Sequence, residues 1–177
     1  NSLLAKMIEE KYIQLCNTPS DINEHLPILR KYACLCEDII ELGVRGMVST
    51  WGLLAGYPRS MVSIDIIDPS EHGGNVKETE DITEKEKVNW DFLKASSLDI
   101  QLPRHDLLFI DTIHKYEQLS QELKLHSSNV RKYIIMHDTA ISEMRLAVFD
   151  FLVGNNTDWK IKEVFNNNNG LTIIQRI

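Results

Sequence analysis

Two groups of residues in this chain have the types and spacing for cation and proton chemistry: Asp111 with His114 three positions on, and the adjacent pair His137-Asp138. Asp111 and Asp138 offer hard carboxylate oxygens suited to Mg²⁺, an ion that keeps several waters and needs few protein ligands. A divalent ion lowers the pKa of a hydroxyl coordinated to it and aligns that oxygen for attack. His114 is then placed to take the hydroxyl proton, because an imidazole titrates at about 6.5, near working pH. His137 is the softer member of a metal set Asp111, His137 and Asp138, and suits Mn²⁺, Fe²⁺ or Zn²⁺ better than Mg²⁺. Positioning a substrate, or orienting Asp138, is its other reading. The plain alternative is that Asp111 and Asp138 cap the helices that follow.

A third group lies upstream. Ile39-Ile40-Glu41-Leu42-Gly43-Val44-Arg45-Gly46 runs two β-branched residues into an acid and a glycine, then a second glycine and the cap-like pair Ser49-Thr50. This outlines a buried strand breaking into the start of a helix. In open α/β sheets such a turn lies where nucleotide-like ligands dock. Gly43 and Gly46 allow a tight turn and a close approach of backbone to ligand. Amides at the following helix start suit a carboxylate.

These groups meet only if parallel strands bring them to one edge. Strand-like runs at 38–42, 61–66, 90–94, 107–110 and 133–136 are rich in Val, Ile, Leu or Phe, as strands covered on both faces are. Helical stretches at 48–57, 115–125 and 141–153 separate several of them. Such alternation predicts a parallel sheet with right-handed crossovers, and adjacent strands ~4.8 Å apart carry Asp111 and His137-Asp138 to neighbouring ends. The N-terminal region reads as two helices, one from Ser2 to Cys16 and one from Asp21 to Leu35, with Pro27 a turn inside the second. Residues 69–86, polar and glutamate-rich, read as an excursion over the carboxyl edge. Strands at 159–165 and 171–176 flank an Asn166–Gly170 turn, so the sheet ends in an antiparallel hairpin. The domain reading is an N-terminal helical region, 1–35, and a ligand-binding domain, 36–177.

Composition narrows the function. The 177 residues carry 19 Lys and Arg against 26 Asp and Glu, a net charge of −7, which argues against binding nucleic-acid backbones. No apolar run approaches the ~20 residues of a membrane span. Lys6, Glu9, Glu10 and Lys11 break up any signal-peptide pattern. Cys16, Cys34 and Cys36 give neither a disulfide framework nor a zinc signature, and suit a reducing compartment. A cytoplasmic location is the expectation. The first residue is Asn1, which fits a domain of a longer polypeptide; a homo-oligomer is a separate expectation.

Taken together, Glu41-Leu42-Gly43-Val44-Arg45-Gly46 with Ser49-Thr50-Trp51, Ser63-Ile64-Asp65, Phe109-Ile110-Asp111-Thr112-Ile113-His114-x-Tyr116 and Ile135-Met136-His137-Asp138-Thr139 resemble a known family. The chain is similar to class I S-adenosylmethionine-dependent methyltransferases, and within them to cephalosporin-hydroxylase-like proteins and the metal-dependent sugar O-methyltransferases of macrolide pathways. The resemblance covers most of the chain from Asp21 onward. It implies a Rossmann-like three-layer α/β sandwich whose mostly parallel seven-stranded sheet ends in an antiparallel hairpin. It also implies O-methylation of a hydroxyl on a small molecule or glycan, a sugar being expected. S-adenosylmethionine is the implied cofactor, with Mg²⁺ or another divalent ion. Implied cofactor contacts are Gly43, Val44, Arg45, Gly46, Ser49 and Thr50 around the methionine tail, with Glu41 on its ammonium group, Asp65 on the ribose, Ser97 near the adenine amine and Asp111. Implied catalytic residues are His114 and Asp111. The chain departs from the family where Arg45 and Met47 flank the turn, and where His137 replaces an acid.

His25, His105 and His126 read as structural, His72 as a loop residue with a place over the cofactor as its lesser alternative, and Tyr116 as undecided. The reading from another class is a noncatalytic cofactor- or nucleotide-binding module of a larger sugar-modifying protein. An NAD-dependent oxidoreductase fits less well, because it would prefer a G-x-G-x-x-G turn.

Overall fold

Each apolar run forms a strand in the computed structural model, which describes residues 6–177. They are β1 (Asp38–Leu42), β2 (Ser60–Asp65), β3 (Asn89–Lys94), β4 (His105–Ile110) and β5 (Val130–His137), followed by β6 (Trp159–Phe165) and β7 (Leu171–Arg176). The sheet order is β3-β2-β1-β4-β5-β7-β6. The first five strands are parallel, and β7 runs antiparallel between β5 and β6. Every residue of β4 is buried, as a central strand under two helix layers requires. The hairpin turn holds Asn168, Asn169 and Gly170 at positive φ, which explains its composition.

Among the described residues six α-helices flank the sheet: α1 (Met7–Cys16), α2 (Leu26–Ala33), α3 (Val48–Leu54), α4 (Val76–Lys85), α5 (Tyr116–His126) and α6 (Ser142–Gly154). Ile8, Leu29, Leu53 and Ile82, from α1 to α4, share one core with Ile39, Met61 and Phe109 of the sheet. Leu119, Leu123 and Ala147, from α5 and α6, pack with Ile40, Leu108 and Ile134 on the other face. The result is the expected three-layer α/β sandwich with a mostly parallel sheet and an antiparallel end. Among the described residues no helix is long and apolar enough to cross a membrane.

The helical readings differ from the structure at α2 and α4. The expected start of the first helix, at Ser2, lies outside the described residues, and α1 is seen from Met7. Pro27 sits in the first turn of α2, where its missing N–H is harmless, so the helix begins at Leu26 after a single 3₁₀ turn, Asn23–His25. The 69–86 excursion holds a full crossover helix, α4. Asn75 caps it by accepting from the Glu78 amide at 3.0 Å. Only Thr79, Ile82 and Thr83 of α4 are buried, and both threonine hydroxyls donate to backbone carbonyls one turn back. An inward face built largely of hydroxyls hides the apolar periodicity that marks a helix.

The β1–α3 turn lies hard against the end of β4. Gly43 has φ +87°, and a Cβ there would stand 2.1 Å from the Asp111 carbonyl oxygen. Gly73 has the same φ with open space around it. Gly73→Ala should therefore cost only the left-handed strain, about 1 kcal/mol. Gly43→Ala should cost roughly 3 to 5 kcal/mol, because strain and overpacking combine. Denaturant melts of the two variants check this; equal losses would show that the close approach is not enforced.

Candidate active site

The carboxyl ends of β1, β2 and β4 are stitched together by backbone bonds from the Gly43 amide to the Ile64 carbonyl (2.9 Å) and from the Asp111 amide to the Leu42 carbonyl (2.8 Å). Asp65 adds a side-chain stitch. Its Oδ2 accepts from the Val44 and Arg45 amides at 2.7 and 3.0 Å, and its Oδ1 from the Ile67 amide at 3.1 Å. Val44 and Arg45, two of the implied contacts of the methionine tail, thus have their amides held by Asp65. Gly46 packs its backbone against the His72 carbonyl, where a Cβ would come within 2.8 Å.

Two adjoining cavities open over this edge. One, about 310 Å³, is lined by Asp65, Ile66, Ile67, Ser97, Ile113 and Gln118 among others. The second, about 250 Å³, is lined by Asp21, Val44 and His114. Both touch Gly43, Arg45, Asp111, Thr112 and Ile113, so they form one furrow along the strand ends. Ile66 and Ile113 are each 56% exposed, an apolar pair left open beside the furrow. Ile66, Ile67, Thr112, Ile113 and Gln118 had no individual sequence signal beyond their place just past a strand end or early in the helix that follows.

Glu41, Ser49 and Thr50 lie elsewhere. Glu41 is one residue inside β1, so its side chain turns to the sheet face and is fully buried. It accepts from Ser49 Oγ at 2.6 Å, Thr50 Oγ1 at 2.7 Å and Ser63 Oγ at 2.8 Å. The three residues expected to touch the cofactor bond to one another beneath the turn. Burial pushes the Glu41 carboxyl up to about 7, against the pull of the three hydroxyls. Ser97 is likewise engaged: its hydroxyl donates to Glu122 Oε2 at 2.6 Å. Burial raises the Glu122 carboxyl as well, while Ser97, Thr112 and Gln118 oppose the rise.

Asp111, His114, His137 and Asp138 do meet. His114 Nε2 lies 2.5 Å from Asp138 Oδ2 and 3.8 Å from Asp111 Oδ1. His137 Nδ1 lies 3.1 Å from Asp138 Oδ2 and 3.5 Å from Asp111 Oδ1. The other nitrogen of His137 lies 2.9 Å from the Asn168 carbonyl, which fixes the ring. His25, at ring-centroid distance 5.6 Å behind His137, approaches the Asn167 carbonyl at 2.8 Å in the same turn. Burial alone would keep His137 neutral, but the two carboxylates raise it to about 10. Burial opposes charge on Asp111, yet His114 and His137 hold it well below the usual carboxylate range. Contact with Asp111 first, and Asp138 after it, raises His114. Desolvation raises Asp138.

The cluster fits a cation. Both Asp138 oxygens and His137 Nδ1 are buried without an aligned hydrogen-bond partner, the short contacts notwithstanding. Donor atoms of Asp111, His114 and Asp138 all lie within 4.8 Å of one another. Two carboxylate oxygens with imidazole nitrogen suit Mn²⁺, Fe²⁺ or Zn²⁺ as well as Mg²⁺. Of the remaining histidines, His105 and His126 are buried and hold carbonyls of Pro103 and Ser97. His72 is exposed and lines the larger cavity. The Tyr116 hydroxyl donates to Asp150.

This strand order, with its furrow at the switch between β1 and β4, is the class I methyltransferase fold. Solved structures share it. The O-methyltransferase from Bacillus cereus in complex with SAH matches with a TM-score of 0.67 at 15% identity, over 99% of this chain and 94% of that one. A methyltransferase from Geobacter sulfurreducens gives 0.64 at 15% identity over 99% and 94%. The SAH-bound methyltransferase of Podospora anserina gives 0.59 at 14% identity over 96% and 87%. No family model and no curated protein matches the sequence.

The raised Glu41 carboxyl makes stability depend on pH. A group protonated up to about 7 in the fold but only to 4.5 when unfolded binds more protons folded between those values. Its contribution is intact below 4.5 and is lost as pH rises to about 7, a decline of about 3 kcal/mol. Glu41→Gln, which keeps the shape and can pair with the same hydroxyls, should remove that decline and be the more stable protein at pH 8. Denaturant unfolding of both proteins at pH 5 and pH 8 checks it, and an unchanged pH slope in the variant would refute it.

Proposed function

We propose that this chain is an S-adenosylmethionine-dependent O-methyltransferase acting on a hydroxyl of a small molecule or glycan, a sugar by preference, with a divalent ion assisting. One observation carries the reading: the furrow over the Gly43 turn runs up to a half-exposed imidazole, His114, backed by two carboxylates. In this reading the purine lies between Ile66 and Ile113, the ribose faces Asp65, and the methionine tail follows the Gly43–Gly46 turn. A carboxylate has about four acceptor sites. Asp65 uses three of them on the Val44, Arg45 and Ile67 amides, leaving one for a ribose hydroxyl. Glu41, Ser49 and Thr50 then support the turn from below. Asp21, Arg45, Thr112 and His114 make the acceptor end polar, which favours a polyhydroxylated acceptor over a flat aromatic one.

The chemistry is a displacement. The acceptor oxygen bonds to the methyl carbon as the carbon–sulfur bond breaks, and sulfur keeps the electron pair and becomes a neutral thioether. The hydroxyl proton passes to Nδ1 of His114, because Nε2 faces Asp138 and Asp111. Asp111 and Asp138 stabilise the imidazolium so formed, and the furrow holds oxygen, carbon and sulfur in line. Asp111 and Asp138, with His137 Nδ1 behind them, would hold the ion, whose chemistry when bound is to polarise the acceptor oxygen.

His114→Ala should lower turnover at least about 100-fold while S-adenosylhomocysteine affinity stays within about threefold. Calorimetry and a methyl-transfer assay on a panel of sugars measure both, and an active variant would overturn the base assignment. If the chain binds neither S-adenosylmethionine nor S-adenosylhomocysteine, the whole reading fails. Dialysis against chelator should abolish transfer and Mn²⁺ or Mg²⁺ should restore it. Full activity in chelator would remove the ion from the proposal.

A further inference from the structure

Beneath the larger cavity a buried carboxylate, Glu122 of α5, has no cationic partner among the described residues. It accepts from Ser97 Oγ at 2.6 Å, from Thr112 Oγ1 at 2.7 and 2.9 Å, and from Gln118 Nε2 at 3.3 Å. All three partners line that cavity, and they come from the loop after β3, the end of β4 and the first half of α5. One residue therefore organises a wall made of three elements.

The donor pattern fixes the Gln118 amide. Glu122 Oε2, shared by Ser97 and Gln118, is an acceptor, so Gln118 must turn its nitrogen inward. Ser97 Oγ gives its proton to Glu122 and accepts from the same amide nitrogen at 3.2 Å, which forks between the two. Ser97 has then given its one proton and uses one of its two lone pairs on Gln118. Its carbonyl is held too, by His126 Nε2 at 2.6 Å. The Gln118 amide oxygen remains, on a side chain lining the cavity, with no donor among the described residues.

We infer that Gln118 reads the base edge of the bound nucleoside by accepting from its exocyclic amine, and that Glu122 is the positioning residue that fixes which end of the amide faces the base. The inference rests on the proposed cofactor and names what selects its base. Adenine presents an N–H donor at that edge, and the deaminated base presents a carbonyl in the same place. An amide oxygen accepts from the first and repels the second.

The experiment titrates S-adenosylhomocysteine and S-inosylhomocysteine into three proteins by calorimetry. The wild type should bind the adenosyl ligand at least about tenfold more tightly. Gln118→Leu should bring the two affinities within about threefold of each other. Glu122→Gln, near-isosteric, should keep the melting temperature within a few degrees. It frees the amide to turn over, so the preference should shift toward the inosyl ligand, a change that lost packing alone would not produce. A wild-type ratio retained by Gln118→Leu overturns the reader, and one retained by Glu122→Gln overturns the positioning role. Wild-type binding of neither ligand overturns the cofactor reading itself, a distinct outcome.

Discussion

The contact on which the carboxyl edge depends is between two pieces of backbone, the Gly43 Cα and the Asp111 carbonyl, with no room for a single added carbon. Because β1 and β4 meet this closely, the turn after β1 cannot drift over the sheet. It is pinned on one side by the end of β4 and on the other by the Asp65 carboxylate from β2. The furrow is what is left between these three strand ends. A side chain at position 43 would push Asp111 away from His114 and His137, so the glycine governs the acid cluster as much as the turn. Close backbone approach serves ligand space and cluster geometry together.

Three buried carboxylates near this edge are satisfied in different ways, and the difference separates support from chemistry. Glu41 is surrounded by hydroxyls, its carboxyl raised by burial, and it orients α3 on β1 and β2. Glu122 uses hydroxyls and one amide to tie a wall together. Asp138 alone keeps both oxygens without an aligned donor, at φ +63°, beside two imidazoles and a second carboxylate. Glu41 and Glu122 are hydrogen-bonded where Asp138 is left open, the contrast on which the proposed cation and proton roles of the cluster rest.

Much of this architecture could be read from the chain. Strand β1 and both hairpin strands fall where apolar runs and turn residues put them, because β-branched runs and an Asn-Gly turn act locally. The four-block spacing predicted which strand ends would adjoin, and Asp111, His114, His137 and Asp138 are in fact neighbours. What escaped depended on facing residues. Helix α4 hid behind buried threonines. Glu41 reads as a strand-end acid until the hydroxyls of Ser49, Thr50 and Ser63 are found around its side chain on the sheet face. Ser97 reads as a free loop hydroxyl until Glu122, 25 residues on, is found to hold it. Hydrogen-bond partners distant in sequence leave no periodic trace, so roles that depend on them are not legible one residue at a time.

The asparagine run 166–169 shows the same limit from the other side. As sequence it is a low-complexity turn, and its positive φ values account for its composition without any function. In three dimensions the Glu24 carboxylate accepts from the Asn167 side chain at 2.8 Å, and Asn168 Oδ1 accepts from the Glu24 amide at 2.9 Å. The turn is thereby clipped to the segment before α2. The carbonyls of Asn167 and Asn168 then hold His25 and His137. His137 cannot rotate without breaking that chain of contacts, so its Nδ1 stays aimed at Asp111 and Asp138. Residues near the chain's start thus set the orientation of an imidazole at the end of β5, and the hairpin that closes the sheet also fixes the acid cluster.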